Sequence, residues 1–269
     1  MLGTIPHGPG IGARFAPAIG RRYNRWVDVA LAIAVLISAA VAAGIQSLSG
    51  FGFSLFIVPV LAVLIGPKET VFLANVLSVV LNAVQLPQMR ASVDWQASWR
   101  LLVGSFIGMP FGVAVLVVLD PGLLKLVIAG TVIVFTALLV RGLRLQQGGG
   151  LGDVGVGFVS GVLNTSTSMS GPPVVISLEG KGLPPMRFRA SNTFFFFVGA
   201  IGSVVLLAIG GASTVLAWQA AVVALPGVFF GRLVGNTFYR GINDRLFRRI
   251  VFGVLLISAS VAIGTTLLG

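Results

Sequence analysis

The chain has 269 residues, of which 56% are hydrophobic and only 9% charged, and its mean hydropathy is +1.02. Soluble domains carry about 25% charged residues, so too few polar groups are present to cover a water-facing surface. The net charge of +11 does not mark a nucleic-acid face, because the 18 Lys and Arg lie almost entirely between apolar runs, where the positive-inside rule places them. With no cysteine and a single histidine, His7, the chain offers no disulfide, no thiolate metal site and no thiol chemistry.

The apolar runs reach the roughly 20 residues that a helix needs to cross a bilayer core. They do not alternate in polarity as the strands of a membrane barrel do. The expected fold is an all-α polytopic membrane protein with about eight transmembrane helices plus broken or re-entrant segments, arranged as two inverted repeats.

Residues 1–25 are rich in Gly and Pro, contain Arg14, Arg21, Arg22 and Arg25 but no acid, and read as a flexible N-terminal tail. The apolar run that follows is too long for a cleaved signal peptide, although such a leader also fits an organelle transit peptide. The predicted apolar segments of the first half are 27–47, 51–66, 69–88, 98–119 and 122–143. Those of the second half are 152–166, 171–180, 190–210, 214–232 and 246–268. Two short breaks divide the first pair of segments in each half: Ser47-Leu48-Ser49-Gly50-Phe51-Gly52-Phe53 and Thr167-Ser168-Met169-Ser170-Gly171-Pro172-Pro173. The segments flanking the second break are too short to span comfortably, which suggests a re-entrant hairpin or a broken helix. Irregular backbone at membrane depth survives only inside protein or beside a wet cavity.

The order of punctuation repeats. Ser49-Gly50 aligns with Ser170-Gly171, Ala74-Asn75 with Ser191-Asn192, Pro110 with Pro226, and 119–125 with 242–248, at offsets of 121, 117, 116 and 123. This divides the chain into membrane repeat 1 (26–144), a cytoplasmic linker (145–151) and membrane repeat 2 (152–269). Basic residues mark the loops around Arg141 and Arg144, around Lys181, Arg187 and Arg189, and from Arg232 to Arg249 as cytoplasmic, and the uncharged 209–213 turn as external. The halves then run in opposite senses, with the side of the N-terminus open.

All seven acids fall at or near segment ends, which weighs against a relay of intramembrane carboxylates. Glu179 closes a short apolar segment, but its nearness to Lys181 favours a solvated loop acid. No His/Asp cluster, Ser-His pair or paired carboxylates are present, so no metal, no cofactor and no catalytic residue is expected. The polar residues inside the apolar runs are neutral. Asn75, Ser78, Asn82 and Gln85 form one helical stripe, which serves either helix–helix hydrogen bonding or a cavity. At the breaks, Gly50, Gly52 and Gly171 permit close backbone approach, and Pro172 and Pro173 suit the first turn of a helix. Helix starts here aim free N–H groups and a positive dipole end into the membrane interior, where Ser49, Ser170 and Thr167 add hydroxyls. The candidate substrate-binding set is Ser49, Gly50, Gly52, Asn75, Asn82, Thr167, Ser170, Gly171, Pro172 and Asn192, and it favours a small anion.

These residues resemble the sulfite exporter TauE/SafE family of bacterial membrane permeases. The resemblance is carried in the first half by Ser49-Gly50-Phe51-Gly52-Phe53, Val58-Pro59-Val60, Ala74-Asn75, Gly104, Gly108, Gly112 and residues 119–125. In the second half it is carried by Ser170-Gly171-Pro172-Pro173, Arg189-Ala190-Ser191-Asn192, Gly231 and residues 242–248. Phe51, Phe53, Pro172 and Pro173 stand where the common family form has more glycines. The resemblance implies a multi-pass protein of the bacterial inner membrane that exports sulfite, sulfoacetate or related organosulfur anions. The implied partners are a small anionic substrate and the lipid bilayer, with no nucleic acid; a coupling proton or ion and a homodimer are left open. A secondary transporter working by alternating access is the leading expectation. A passive anion channel and a non-transporting scaffold are the alternatives.

Overall fold

The computed structural model describes residues 28–140 and 150–238, and these are helical with no strand among them. The tail 1–25, residues 145–149 of the linker 145–151, the stretch 242–248 and the segment 246–268 lie outside the described residues. The helices are α1 (Val29–Ser49), α2 (Phe53–Leu64), α3 (Pro67–Gln85), α4 (Trp95–Val118), α5 (Pro121–Val140), α6 (Gly150–Thr167), α7 (Gly171–Gly180), α8 (Pro185–Ile209) and α9 (Val215–Phe238). Among the described residues α1, α3, α4, α8 and α9 are long and apolar enough to cross a membrane. By contrast α2, with 12 residues, and α7, with 10, reach only about 18 and 15 Å, roughly half of a ~30 Å hydrocarbon core.

Local signals set the ends. Pro67 and Pro185 open α3 and α8 near N1, where a missing N–H costs nothing. That signal starts α8 five residues before the predicted 190. Asp94 caps α4, its carboxylate accepting from the Ala97 N–H at 3.1 Å. Pro59, Pro110 and Pro226 lie inside α2, α4 and α9 without ending them.

Glycine determines how the long helices meet. A Cβ built at Gly104, Gly108 or Gly112 of α4 would collide with the carbonyl oxygens of Val154, Phe158 and Val162 of α6. Gly157 and Gly161 of α6 are pressed in the same way against Leu101 and Ser105 of α4. Gly227, Gly231 and Gly235 of α9 face the backbone of Leu36, Ala40 and Gly44 of α1. In both pairs the contacts climb in the same chain order, so the paired helices run parallel. Such small-residue seams let backbones touch, which drives helix association where lipid removes the hydrophobic effect.

The packing partners are exchanged between the halves. α4 of the first half lies along α6 of the second, α9 of the second lies along α1 of the first, and α3 crosses α8 at the centre. Two apolar cores follow. One is built mainly on α1, α2, α3, α5 and α9, with Leu61, Leu73, Leu77 and Val228; the other lies among α4, α6, α7 and α8, with Leu101, Leu102, Val174 and Phe195. Exchanging α1, α2, α3 and α9 for α6, α7, α8 and α4 maps one group onto the other, the pairing expected of a duplicated unit.

Candidate functional site

The two breaks have the same construction. α1 ends at Ser49 and α2 starts at Phe53; α6 ends at Thr167 and α7 starts at Gly171. Each link is three residues long, Gly50-Phe51-Gly52 and Ser168-Met169-Ser170. Each opens on a left-handed residue, Gly50 with φ 81° and Ser168 with φ 60°. Ser168 is the one non-glycine residue with positive φ among the described residues, a conformation that costs an L-residue roughly 1–2 kcal/mol. The equivalent of Gly50 is therefore Ser168 and that of Gly52 is Ser170, so the sequence alignment of Ser49-Gly50 with Ser170-Gly171 is three residues out of register. The glycine seams likewise align Gly104 with Gly227, which takes Pro110 and Pro226 out of register with each other. Helix ends and backbone contacts, rather than shared residue types, set the true alignment.

The links converge. The Ser54 and Ser168 hydroxyls lie 3.1 Å apart, joining the first turn of α2 to the second link. Around them a small cavity is lined by Gln46, Gly52–Leu55, Ser78, Asn164, Ser168–Gly171 and Phe196. No charged side chain lines it. The first N–H groups of α2, on Phe53, Ser54 and Leu55, lack intrahelical partners and belong to lining residues. α7 offers fewer donors, because Pro172 and Pro173 have no N–H; Gly171 supplies one, and the positive end of the helix dipole remains.

The predicted set divides. Gly52, Ser170 and Gly171 line the cavity. Pro172 is buried in the first turn of α7 and shapes its start. Ser49 is taken up by its own link, its Oγ lying 2.8 Å from the Ile45 carbonyl and 2.6 Å from that of Phe51. Thr167 donates back to the Leu163 carbonyl at 2.9 Å. Asn82 is a connector that accepts from Gln46 Nε2 at 2.8 Å and donates to the Ser78 carbonyl at 2.7 Å. Asn75 donates to the Val71 carbonyl at 2.9 Å and reaches the Asn164 carbonyl at 3.4 Å, while its Oδ1 has no protein partner. Asn192 is fully buried with neither side-chain polar atom partnered. Gly50 packs on Arg189, whose Cγ would stand 3.1 Å from an added Cβ.

Five polar lining residues lie outside that set: Gln46, Ser54, Ser78, Asn164 and Ser168. Gln46 and Asn164 sit four residues before the left-handed position of each link, and counting back from the helix ends is the signal that pairs them. Arg189 departs from its reading as a loop charge. It lies on the second turn of α8 with 9% of its surface exposed, and its guanidinium donates to the Ser47 carbonyl at 2.7 Å. A cation at the C-terminal carbonyls of α1 is favourably placed against the helix dipole. Glu179 is exposed, in keeping with a solvated acid, but Lys181 turns from it to the fully buried Asp153 at 2.9 Å.

The model of the sulfite exporter TauE/SafE family matches residues 34–262. A probable sulfite/organosulfonate exporter TauE from Cupriavidus necator is 28% identical over 221 residues, 78% of this chain and 85% of that protein. No solved structure matches. The family match takes in both links, the glycine seams and all nine helices of the described residues except the first turns of α1, so this chain belongs to the sulfite exporter TauE/SafE family of membrane proteins.

Proposed function

We propose that the chain is a secondary exporter of small oxyanions, sulfite or organosulfonates such as sulfoacetate, acting in the bacterial inner membrane. The anion is held in the cavity where the two links meet. The observation that carries this reading is the convergence of two helix starts on one uncharged, hydroxyl-lined space. Helix N-termini bind oxyanions through free N–H groups and the dipole, and the Ser54, Ser168 and Ser170 hydroxyls add donors. The cavity offers the anion neutral donors rather than a cation. The Cupriavidus necator relative, a probable sulfite/organosulfonate exporter, agrees with the substrate class.

The exchange of α4 and α9 supports alternating access as the mechanism. The α1/α2/α3/α9 group and the α6/α7/α8/α4 group each carry one link, so a rocking of one against the other opens the cavity to one side at a time. The test is flux of labelled sulfite and sulfoacetate in proteoliposomes. Accumulation against the anion gradient, driven by pH or a counter-ion, is expected. Flux that only ever runs downhill would convert the reading to a passive anion channel, and absent flux together with absent binding would leave a scaffold.

A further inference from the structure

Four serine hydroxyls among α4, α6 and α7 have no protein partner although the residues are fully buried: Ser98, Ser105, Ser160 and Ser177. This is not the habit of the other hydroxyls here. Ser49, Thr70, Thr165, Ser166 and Thr167 all place their oxygen on the carbonyl four residues back. A buried polar group without a partner costs about 1–3 kcal/mol unless water satisfies it.

Two of the four, Ser160 and Ser177, can be placed along α6 and α7. Asp153 and Ser160 are seven apart on one face of α6, and Ser177 and Lys181 are four apart on one face of α7. The Lys181 ammonium lies 2.9 Å from Asp153, which turns those two faces toward each other. The cavity, with Asn164, Ser168 and Gly171, is at the joined end of α6 and α7, and the ion pair is at the open end. The distance between them is about 15 Å, from ten residues of α7 at 1.5 Å each. Lys181 is 21% exposed and Asp153 not at all, so the pair closes the seam at its outer end.

The fold does not require this polarity. By the register of helix ends and glycine seams, Asp153 corresponds to Val35, Ser160 to Ala42 and Ser177 to Pro59; Ser98 and Ser105 correspond to Ala221 and Val228. All five counterparts are buried and apolar. The same packing is thus built dry in one helix group and with unpartnered hydroxyls in the other.

We propose that the line of these hydroxyls, running toward α7 beside the backbone contact of α4 with α6, is a hydrated access route, present in one helix group only, between the cavity and the membrane face bearing Lys181, and that the Asp153–Lys181 pair is its gate. The inference rests on the cavity being the anion site. An incoming sulfonate competes with the Asp153 carboxylate for the Lys181 ammonium, whose three N–H donors suit either oxyanion. Among the described residues, the other charges near this mouth include Arg100, whose Nε lies 3.3 Å from a Cβ built at Gly150, the exposed Glu179, and Arg187, paired with Asp94 at 3.9 Å.

The absence of cysteine makes the test direct. Ser160→Cys, Ser177→Cys and, as a dry control, Ala42→Cys are introduced singly into the full chain, with Ser170→Cys marking the cavity. Each purified protein that elutes as a single species is treated with the anionic reagent sulfonatoethyl methanethiosulfonate. Ser160→Cys and Ser177→Cys are expected to be modified, roughly tenfold faster when Asp153→Asn shifts the gate toward open, while Ala42→Cys stays unmodified. If both seam cysteines resist the reagent even with Asp153→Asn, or if Ala42→Cys reacts as fast as they do, the route is overturned. Protection of Ser170→Cys by sulfoacetate reads the anion site separately, so the cavity can stand while the seam fails, or fail while the seam stands.

Discussion

Ser168 concentrates the cost of the second link in one residue. Its left-handed backbone is disfavoured, yet its hydroxyl meets Ser54 at 3.1 Å across the junction. Ser168→Gly exchanges roughly 1–2 kcal/mol of relieved backbone strain for a lost hydrogen bond worth about 1 kcal/mol. The thermal midpoint in detergent is therefore expected to stay within a few degrees of the parent while anion affinity falls. Ser168→Val puts a β-branched side chain at positive φ and is expected to lower the midpoint clearly. A midpoint for Ser168→Val equal to that of the parent would show that the link does not depend on this conformation. Arg189→Ala strands the Ser47 carbonyl; the expected loss is about 1.5–3 kcal/mol for a charge-assisted bond, partly restored by Lys, and a thermal melt of both variants measures it. Arg189 illustrates the limit of reading residues singly. Positive-inside counting treats every arginine near a helix end alike, and nothing in Arg-Phe-Arg says that the second arginine turns inward onto α1.

At the scale of elements, the glycine seams make a sharp contrast. Gly108→Leu and Gly231→Leu drive a side chain into the backbone of α6 or α1, and overpacking of this kind costs about 1–3 kcal/mol or more. A Cβ at Gly130 or Gly155 meets nothing within 4 Å, so Ala is expected to be tolerated at both. Size-exclusion profiles of the four variants check this, with the first two aggregating and the last two matching the parent. The positions of the breaks were legible because Gly, Ser and Pro cannot hide inside apolar runs. The equivalence of the breaks was legible too, but not its register. Ser49-Gly50 and Ser170-Gly171 look alike as letters, whereas Gly50 and Ser168 are alike only in φ, which no residue name announces. The Gly-rich face of α4 could be seen in the sequence; that it faces α6, a helix of the other half, could not, because the pattern on one helix does not name its partner.

For the whole molecule, the like construction of the two links and the exchange of helix partners act together. Two half-length helices, α2 and α7, begin where the links meet, and each link belongs to a different packing group. The anion site proposed between them uses no cation in the cavity, in agreement with the composition, which puts nearly all charge outside the apolar runs. The membrane class, the repeated breaks and the family were readable from the chain. Five of the six polar residues lining the cavity were not, since Gln46, Ser54, Ser78, Asn164 and Ser168 look no different from the structural polar residues around them. Their role comes from the crossing of α3 and α8 and from the meeting of the links.

Binding of sulfoacetate to the purified full chain tests the central claim most directly. Isothermal titration is compared for the parent, for Ser54→Ala combined with Ser170→Ala, and for Gly171→Leu, each first shown to melt cooperatively. The account predicts that the parent binds and that both variants bind at least about tenfold more weakly, a loss of roughly 1.4 kcal/mol or more. Unchanged affinity in both variants would contradict the placing of the anion between the two helix starts.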